Sequence, residues 1–119
     1  MTIEQRRLEI LDWEKNNRTS LNRSTKGEEN VRCAYSGPIG CAVGRLIDDK
    51  ELCAELDAED DGAVYERHVF AQLPDHIKEL GQDFLNDLQV LHDSSQAWNE
   101  NGLSSLGKNL YEKIKAQRC

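Results

Sequence analysis

Several things are missing from this chain of 119 residues. No run approaches the roughly 18 consecutive apolar residues that a membrane helix needs, so no membrane-spanning segment is expected. Base is in deficit: 15 lysines and arginines face 22 acids, for a formal charge of −7. That balance argues against direct nucleic-acid binding, which calls for a basic face. The glycines at 37, 40 and 44 complete neither GxxxxGK[ST] nor GxGxxG, so no phosphate loop is formed. The four cysteines, Cys33, Cys41, Cys53 and Cys119, contain no CxxC pair, which removes the usual zinc and redox signatures. No internal repeat is visible. The opening MTIEQRRLEI is mixed in charge from its fourth residue and does not read as a secretory signal. The expected setting is therefore cytoplasmic, with the cysteines reduced and structural, because disulfides rarely persist there.

What is present suits one domain. The length would not support two cores. The large apolar residues recur in helical rows, which argues against disorder. Residues 2–16 read as a helix, with Thr2 as N-cap and Gln5 three residues on, as in a capping box. Its apolar face would be Ile3, Leu8, Ile10, Leu11 and Trp13. Residues 16–30 read as a loop. In residues 31–35, Val31, Cys33 and Tyr35 alternate with Arg32 and Ala34, which is strand periodicity. Gly37-Pro38-Ile39-Gly40 supplies turn chemistry, and residues 41–45 can return as a second strand. The expectation is a β-hairpin over about residues 31–45 with its tip at 37–40. Ala42 and Gly44 leave one face of the return strand bare, so another element should pack close.

Further on, residues 48–56 suit a short helix capped by Asp48 or Asp49. Residues 63–73 lean helical and stop at Pro74, after which PDHIKEL starts a new turn. Residues 82–93 carry Phe84, Leu85, Leu88 and Leu91 on one stripe. Residues 103–116 carry Leu103, Leu106, Leu110 and Ile114 nearly in line, with Gly107 allowing a neighbouring backbone to approach. AWNENG between them is a turn anchored by Trp98. The class is α+β: a mostly helical single domain with one hairpin. A lone hairpin is marginal in water and must pack on helices or pair across a subunit boundary, which suggests a homodimer.

Charge is the strongest compositional signal. Eight of the 22 acids and one of the 15 bases fall in residues 48–61, leaving fourteen of each elsewhere. The acids are Asp48, Asp49, Glu51, Glu55, Asp57, Glu59, Asp60 and Asp61. They form a candidate face for a basic protein partner. DNA mimicry fits less well, since mimics spread their acids over the surface. A cation site is the competing reading. Asp57, Glu59 and Asp61 fall at positions one, three and five of a calcium loop and Gly62 at six. Position twelve, where a bidentate glutamate belongs, is His68, so the match is partial and no metal is assigned.

Two further site hypotheses rest on individual residues. A small-ligand pocket could lie between the hairpin and the helices around Tyr35, Arg45, His92 and Trp98. A cysteine-dependent enzyme would need Cys33 or Cys41 beside an imidazole from His68, His76 or His92. Neither cysteine is followed directly by a helix N-terminus, so no catalytic residue and no cofactor are assigned.

Two blocks, CAYSGPIGCAVGRLI at residues 33–47 and LQVLHDSSQAW at residues 88–98, together resemble uncharacterised small proteins of phages, prophages and mobile gene cassettes. In those proteins a C-x-Y-x-G-P-x-G-C-A-x-G-x-L-I block precedes an acidic stretch, and an L-Q-x-x-H-D block with a tryptophan follows. The resemblance implies a genomic setting and implies that the two blocks form one structural unit. It implies no activity and no site residue. The functional expectation is an accessory protein of a mobile element that acts by binding a protein partner.

Overall fold

The N-terminal helix starts where its cap dictates. In the computed structural model, which describes residues 2–20, 22, 25–26, 32–33, 35, 41–58 and 67–117, α1 spans Ile3–Asn17. The Gln5 N–H donates to Thr2 Oγ1 (3.1 Å) and the Thr2 N–H donates to Gln5 Oε1 (2.8 Å), a reciprocal capping box. The buried residues of α1 are Leu11 and Glu14, three apart on one face. Leu8, expected on the apolar face, is 40% exposed. The inward stripe of α1 is therefore narrower than its apolar content suggests, and it contains a charge.

The hairpin lies elsewhere than expected. β1 (Thr25–Lys26) and β2 (Arg32–Cys33) pair antiparallel, Thr25 opposite Cys33 and Lys26 opposite Arg32. The strand periodicity at 31–35 is answered upstream, inside the stretch read as a loop, and β2 lies against α5 of the same chain. Residues 41–45 are not a return strand. They turn into a 3-10 helix at Gly44–Leu46, whose N–H groups close locally: Leu46 donates to the Val43 carbonyl (2.9 Å) and Ile47 to that of Gly44 (3.1 Å). The reason is a close approach at Gly44. A Cβ there would sit 2.4 Å from the Tyr35 carbonyl oxygen, so only glycine lets this backbone rest on that of Tyr35. The expected tip at residues 37–40 lies outside the described residues.

α2 (Lys50–Asp57) is capped by Asp49, whose carboxylate accepts from the N–H groups of Glu51 (3.0 Å) and Leu52 (3.2 Å). Cys53 and Leu56 point inward. α3 (Arg67–Ala71) realises the helical reading of 63–73, of which residues 63–66 lie outside the described set. Pro74 ends that segment and caps α4 (Asp75–Lys78). α1 is fastened here by two arginines: Arg6 pairs with Glu79, and Arg7 Nε donates to the Leu80 carbonyl (2.8 Å).

α5 (Gln82–Asp93) is the spine of the core. It buries the expected Phe84, Leu85, Leu88 and Leu91, and also Gln89 and His92. Each large apolar side chain taken from water contributes about 1.5–3 kcal/mol. A second 3-10 turn, Ser95–Ala97, leads into a tight hairpin, β3 (Trp98–Asn99) with β4 (Gly102–Leu103), whose positive φ falls on Gly102 (127°). Trp98 is buried and its Nε1–H donates to the Leu91 carbonyl (2.8 Å), so it anchors the turn as expected.

α6 (Ser105–Lys115) begins at Ser104, whose hydroxyl accepts from the Gly107 N–H (3.2 Å). Its buried residues are Gly107, Tyr111 and Ile114, while Leu106 is 45% exposed. The helix is rotated from the leucine stripe because Gly107 is its point of closest approach: a Cβ there would lie 2.1 Å from the Ala97 carbonyl oxygen. The architecture is α+β and mostly helical. Its radius of gyration, 13.2 Å, is that of one compact body. Among the described residues no helix is long and apolar enough to cross a membrane.

In an exposed helix Gly→Ala gains up to about 1 kcal/mol from backbone entropy. At Gly107 the backbone overlap decides the sign. Gly107→Ala is expected to lower unfolding free energy by about 1–3 kcal/mol in a denaturant titration, as overpacking does. A rise in stability would refute the close contact.

Candidate functional site

One carboxylate gathers the polar groups of the interior. Glu14 is fully buried on the inner face of α1, one turn before Arg18. Arg18 Nε donates to Glu14 Oε1 (3.1 Å), and His92 Nδ1, from the last turn of α5, lies 3.2 Å from Glu14 Oε2. An ionised carboxylate only accepts, so this contact is a hydrogen bond when His92 carries a proton on Nδ1. Arg45, carried by the 3-10 turn, brings its Nε to 3.9 Å from Glu14 Oε1. That distance makes an ion pair and no hydrogen bond, and Arg45 Nε has no hydrogen-bond partner among the described residues. Three distant stretches of chain thus meet at one side chain.

Trp13 roofs the cluster. The Arg45 guanidinium lies 3.8 Å from its ring centroid and that of Arg18 lies 5.2 Å away, both within cation–π range. Arg18 Nη1 also donates to the Asn22 carbonyl (3.1 Å), which ties down the turn after α1. The Arg45 side chain is 17% exposed, against 0% for Arg18. Burial pushes the Arg45 guanidinium below its ordinary pKa, Glu14 opposes this, and Arg18 adds to it.

The four expected pocket residues come to one neighbourhood, on or next to α5. Tyr35 is 1% exposed, and its hydroxyl accepts from Gln89 Nε2 (2.7 Å). His92 is 0% and Trp98 5% exposed. Of the four, Arg45 lines a cleft of about 440 Å³, together with Ile10, Trp13, Asn17 and Leu46. A larger groove of about 640 Å³ runs between α1, α5 and α6, over Leu8, Leu11, Phe84 and Ile114. Glu14, Arg18 and Gln89 are the partners that reading of the sequence missed. Their signal was spacing: Leu11, Glu14 and Arg18 fall at i, i+3 and i+7, the interval of a buried helical stripe.

The acids divide by role. Asp48, Asp49, Glu51 and Glu55 are exposed, Asp49 as the cap of α2. Asp57 is half-buried and its Oδ1 accepts the Tyr35 N–H (2.6 Å). Of the cation candidates, Glu59 and Asp61 lie outside the described residues, as does Asp60 of the acidic face. No group of three or more His, Cys, Asp or Glu among the described residues could hold a metal.

Among the described residues, the cysteines depart from expectation at Cys41. Cys41 is disulfide-bonded, so the reading of four reduced thiols fails there. It is wholly buried. In a disulfide it has no thiol to act as a nucleophile. Cys53 is free and buried on α2, as read. Burial pushes its thiol pKa up and Asp57 adds to this, so it too lacks the features of a nucleophile. Of the histidines, His76 is exposed and His92 faces Glu14. The side chains of Cys33 and His68 lie outside the described residues, as does Cys119.

No protein-family model matches the chain, and neither a curated protein nor a solved structure matches it.

Two measurements test the site. A buried ion pair contributes little against an apolar replacement, but breaking one costs about 3–5 kcal/mol. Glu14→Gln is therefore expected to lose about 3 kcal/mol or more in chemical denaturation, and Arg45→Gln clearly less, because Arg45 is farther away and part-solvated. A Glu14→Gln loss below about 1 kcal/mol would contradict a central role for the carboxylate. At the edge of the cluster, the Tyr111 hydroxyl donates to Asp12. Burial first, and that bond second, push its pKa up to about 12. Its contribution to stability is thus fully present below the ordinary value of about 10 and is lost as pH rises to about 12. One of the three tyrosines should titrate near 12 by ultraviolet absorbance, and Asp12→Ala should move it down. Three ordinary phenol titrations would contradict the contact.

Proposed function

We propose that this protein is a cytoplasmic accessory of a mobile element and that it acts by binding a basic protein partner. The observation that carries the reading is the exposed acid on and before α2. Asp48, Asp49, Glu51 and Glu55 face solvent around the single base Lys50. No ion pair engages these four acids among the described residues. The charges that chemistry might use, at Glu14, Arg18 and His92, are sealed against one another. The surface acids therefore remain available to steer an oppositely charged partner. The resemblance of the two sequence blocks supports the mobile-element setting. A cytoplasmic location is compatible with the Cys41 disulfide where that bond is transient, as most cytosolic disulfides are.

A small-ligand reading has one observation in its favour, the cleft that reaches Arg45 and Trp13. A thermal-shift panel of metabolites is the test of that reading. For the leading one, the protein is immobilised and host proteins are captured, eluted by salt and identified by mass spectrometry. A basic protein should elute by about 0.5 M salt, where screening lengths fall to a few ångströms. The triple variant Asp48→Lys, Glu51→Lys, Glu55→Lys, which spares the Asp49 cap, should not retain it. Equal capture by the triple variant would reject the acidic face. Sedimentation of the same sample reports whether the chain forms a homodimer.

A further inference from the structure

Arg45 brings an incompletely balanced charge to the edge of a cleft. Glu14 is one carboxylate shared by two guanidinium groups, Arg18 at 3.1 Å and Arg45 at 3.9 Å. His92 holds its other oxygen at 3.2 Å, so Arg45 is the partner left farthest out. Its Nε is shut off from water and has no hydrogen-bond partner among the described residues. The side chain as a whole is 17% exposed and lines the cleft of about 440 Å³. Trp13 holds the guanidinium 3.8 Å from its ring centroid, a cation–π contact that consumes none of the N–H donors. A guanidinium so held offers a donor fork that matches a carboxylate.

The opposite charge lines the same cleft. Glu9 stands four residues before Trp13, on the same face of α1. It is exposed, and no ion pair engages it among the described residues. Asp12, also on the cleft, already accepts from the Tyr111 hydroxyl. Burial, the largest effect, lowers the Arg45 pKa; Glu14 raises it, Arg18 lowers it and Glu9 raises it, so Glu9 is near enough to be felt. Ile10, Trp13 and Leu46, each half-buried, supply an apolar wall.

A cleft with one cation, one unpaired anion and an apolar wall selects by charge. A dianion would meet Glu9 and Asp12, and a cation would meet Arg45 with Arg18 behind it. A molecule with both charges and an apolar group satisfies all three features. The volume lies within the usual range of ligand pockets, about 300–1,000 Å³. Building on the small-ligand reading of this cleft, we propose that it binds a zwitterionic α-amino acid with a large apolar side chain. Arg45 takes the carboxylate, Glu9 takes the ammonium, and Ile10, Trp13 and Leu46 take the side chain.

The readout is the indole N–H signal of Trp13 in a nitrogen–proton spectrum, assigned with Trp13→Phe. L-leucine or L-phenylalanine, titrated to about 10 mM, should move it to saturation while the Trp98 signal, bonded to Leu91, stays in place. Two probes each lack one charge of L-leucine: 4-methylpentanoate has no ammonium and 3-methylbutylamine no carboxylate. Each should bind about tenfold or more weakly, the loss of one charge-assisted contact. Arg45→Gln should abolish the L-leucine shift, with an unmoved Trp98 signal reporting an intact fold. Glu9→Gln, at an exposed position, should remove the preference for L-leucine over 4-methylpentanoate. A Trp13 signal unmoved by both amino acids, or 4-methylpentanoate binding as tightly as L-leucine, would overturn this ligand class. If the metabolite panel then stabilises the protein through a compound of another class, the small-ligand reading stands without it; if the panel is silent as well, both fall.

Discussion

A single buried carboxylate sets the terms for the rest of this fold. Glu14 sits where an apolar residue would be expected on the inner stripe of α1, and an isolated charge there would be too costly to keep. Its compensation comes from three directions: Arg18 one helical turn on, Arg45 from the 3-10 turn, and His92 from the end of α5. The requirement fixes the rotation of α1, the placement of residues 44–46 and the end of α5 together. Apolar burial along α5 supplies more of the driving force, but it tolerates sliding. A carboxylate with directional partners does not, and it selects one register among the helices.

The glycines do the complementary work. Gly44 and Gly107 each bring a backbone into contact with a neighbouring carbonyl, Tyr35 in one case and Ala97 in the other. Without the first, the 3-10 turn would stand off and Arg45 could not reach its place by Glu14. Without the second, α6 would stand away from the Ser95–Ala97 turn, and the Trp98 hairpin would lose its backing. Polar satisfaction at Glu14 and close backbone contact at two glycines are thus one constraint seen from two sides.

How much of this could be read from the sequence follows from the range of each interaction. Thr2 with Gln5, Asp49 with α2 and Pro74 before α4 are contacts within four residues, and all three were legible. The stripe of α5 was legible because one residue type and one period agree. The hairpin was misplaced because alternation in residues 31–35 marks a strand without saying on which side its partner lies. The glycines at 37 and 40 then supplied a turn that drew the partner downstream. Gly44 marks a site of close approach, as its lack of a side chain implies, but in a 3-10 turn and not in a strand. On α6 the leucines define one row and Gly107 with Tyr111 another. Size favoured the leucines, but the smallest residue marks where the helix comes nearest. Glu14 and Arg18 were hidden by their charge, although their interval from Leu11 was that of a buried face.

The same division separates what can change in this molecule from what cannot. Every charge at Glu14 answers to groups on other elements, so a substitution there is felt in α1, in the Gly44 turn and in α5 together. Asp57 of α2 accepts the Tyr35 N–H, but the acids before it face solvent: Asp49 caps the helix, and Glu51 and Glu55 are exposed. Their number and sign can vary at little cost to the fold, since exposed charges contribute only tenths of a kcal/mol. A surface free to vary thus sits on an interior locked by a directional network, and the face can change without renegotiating the core.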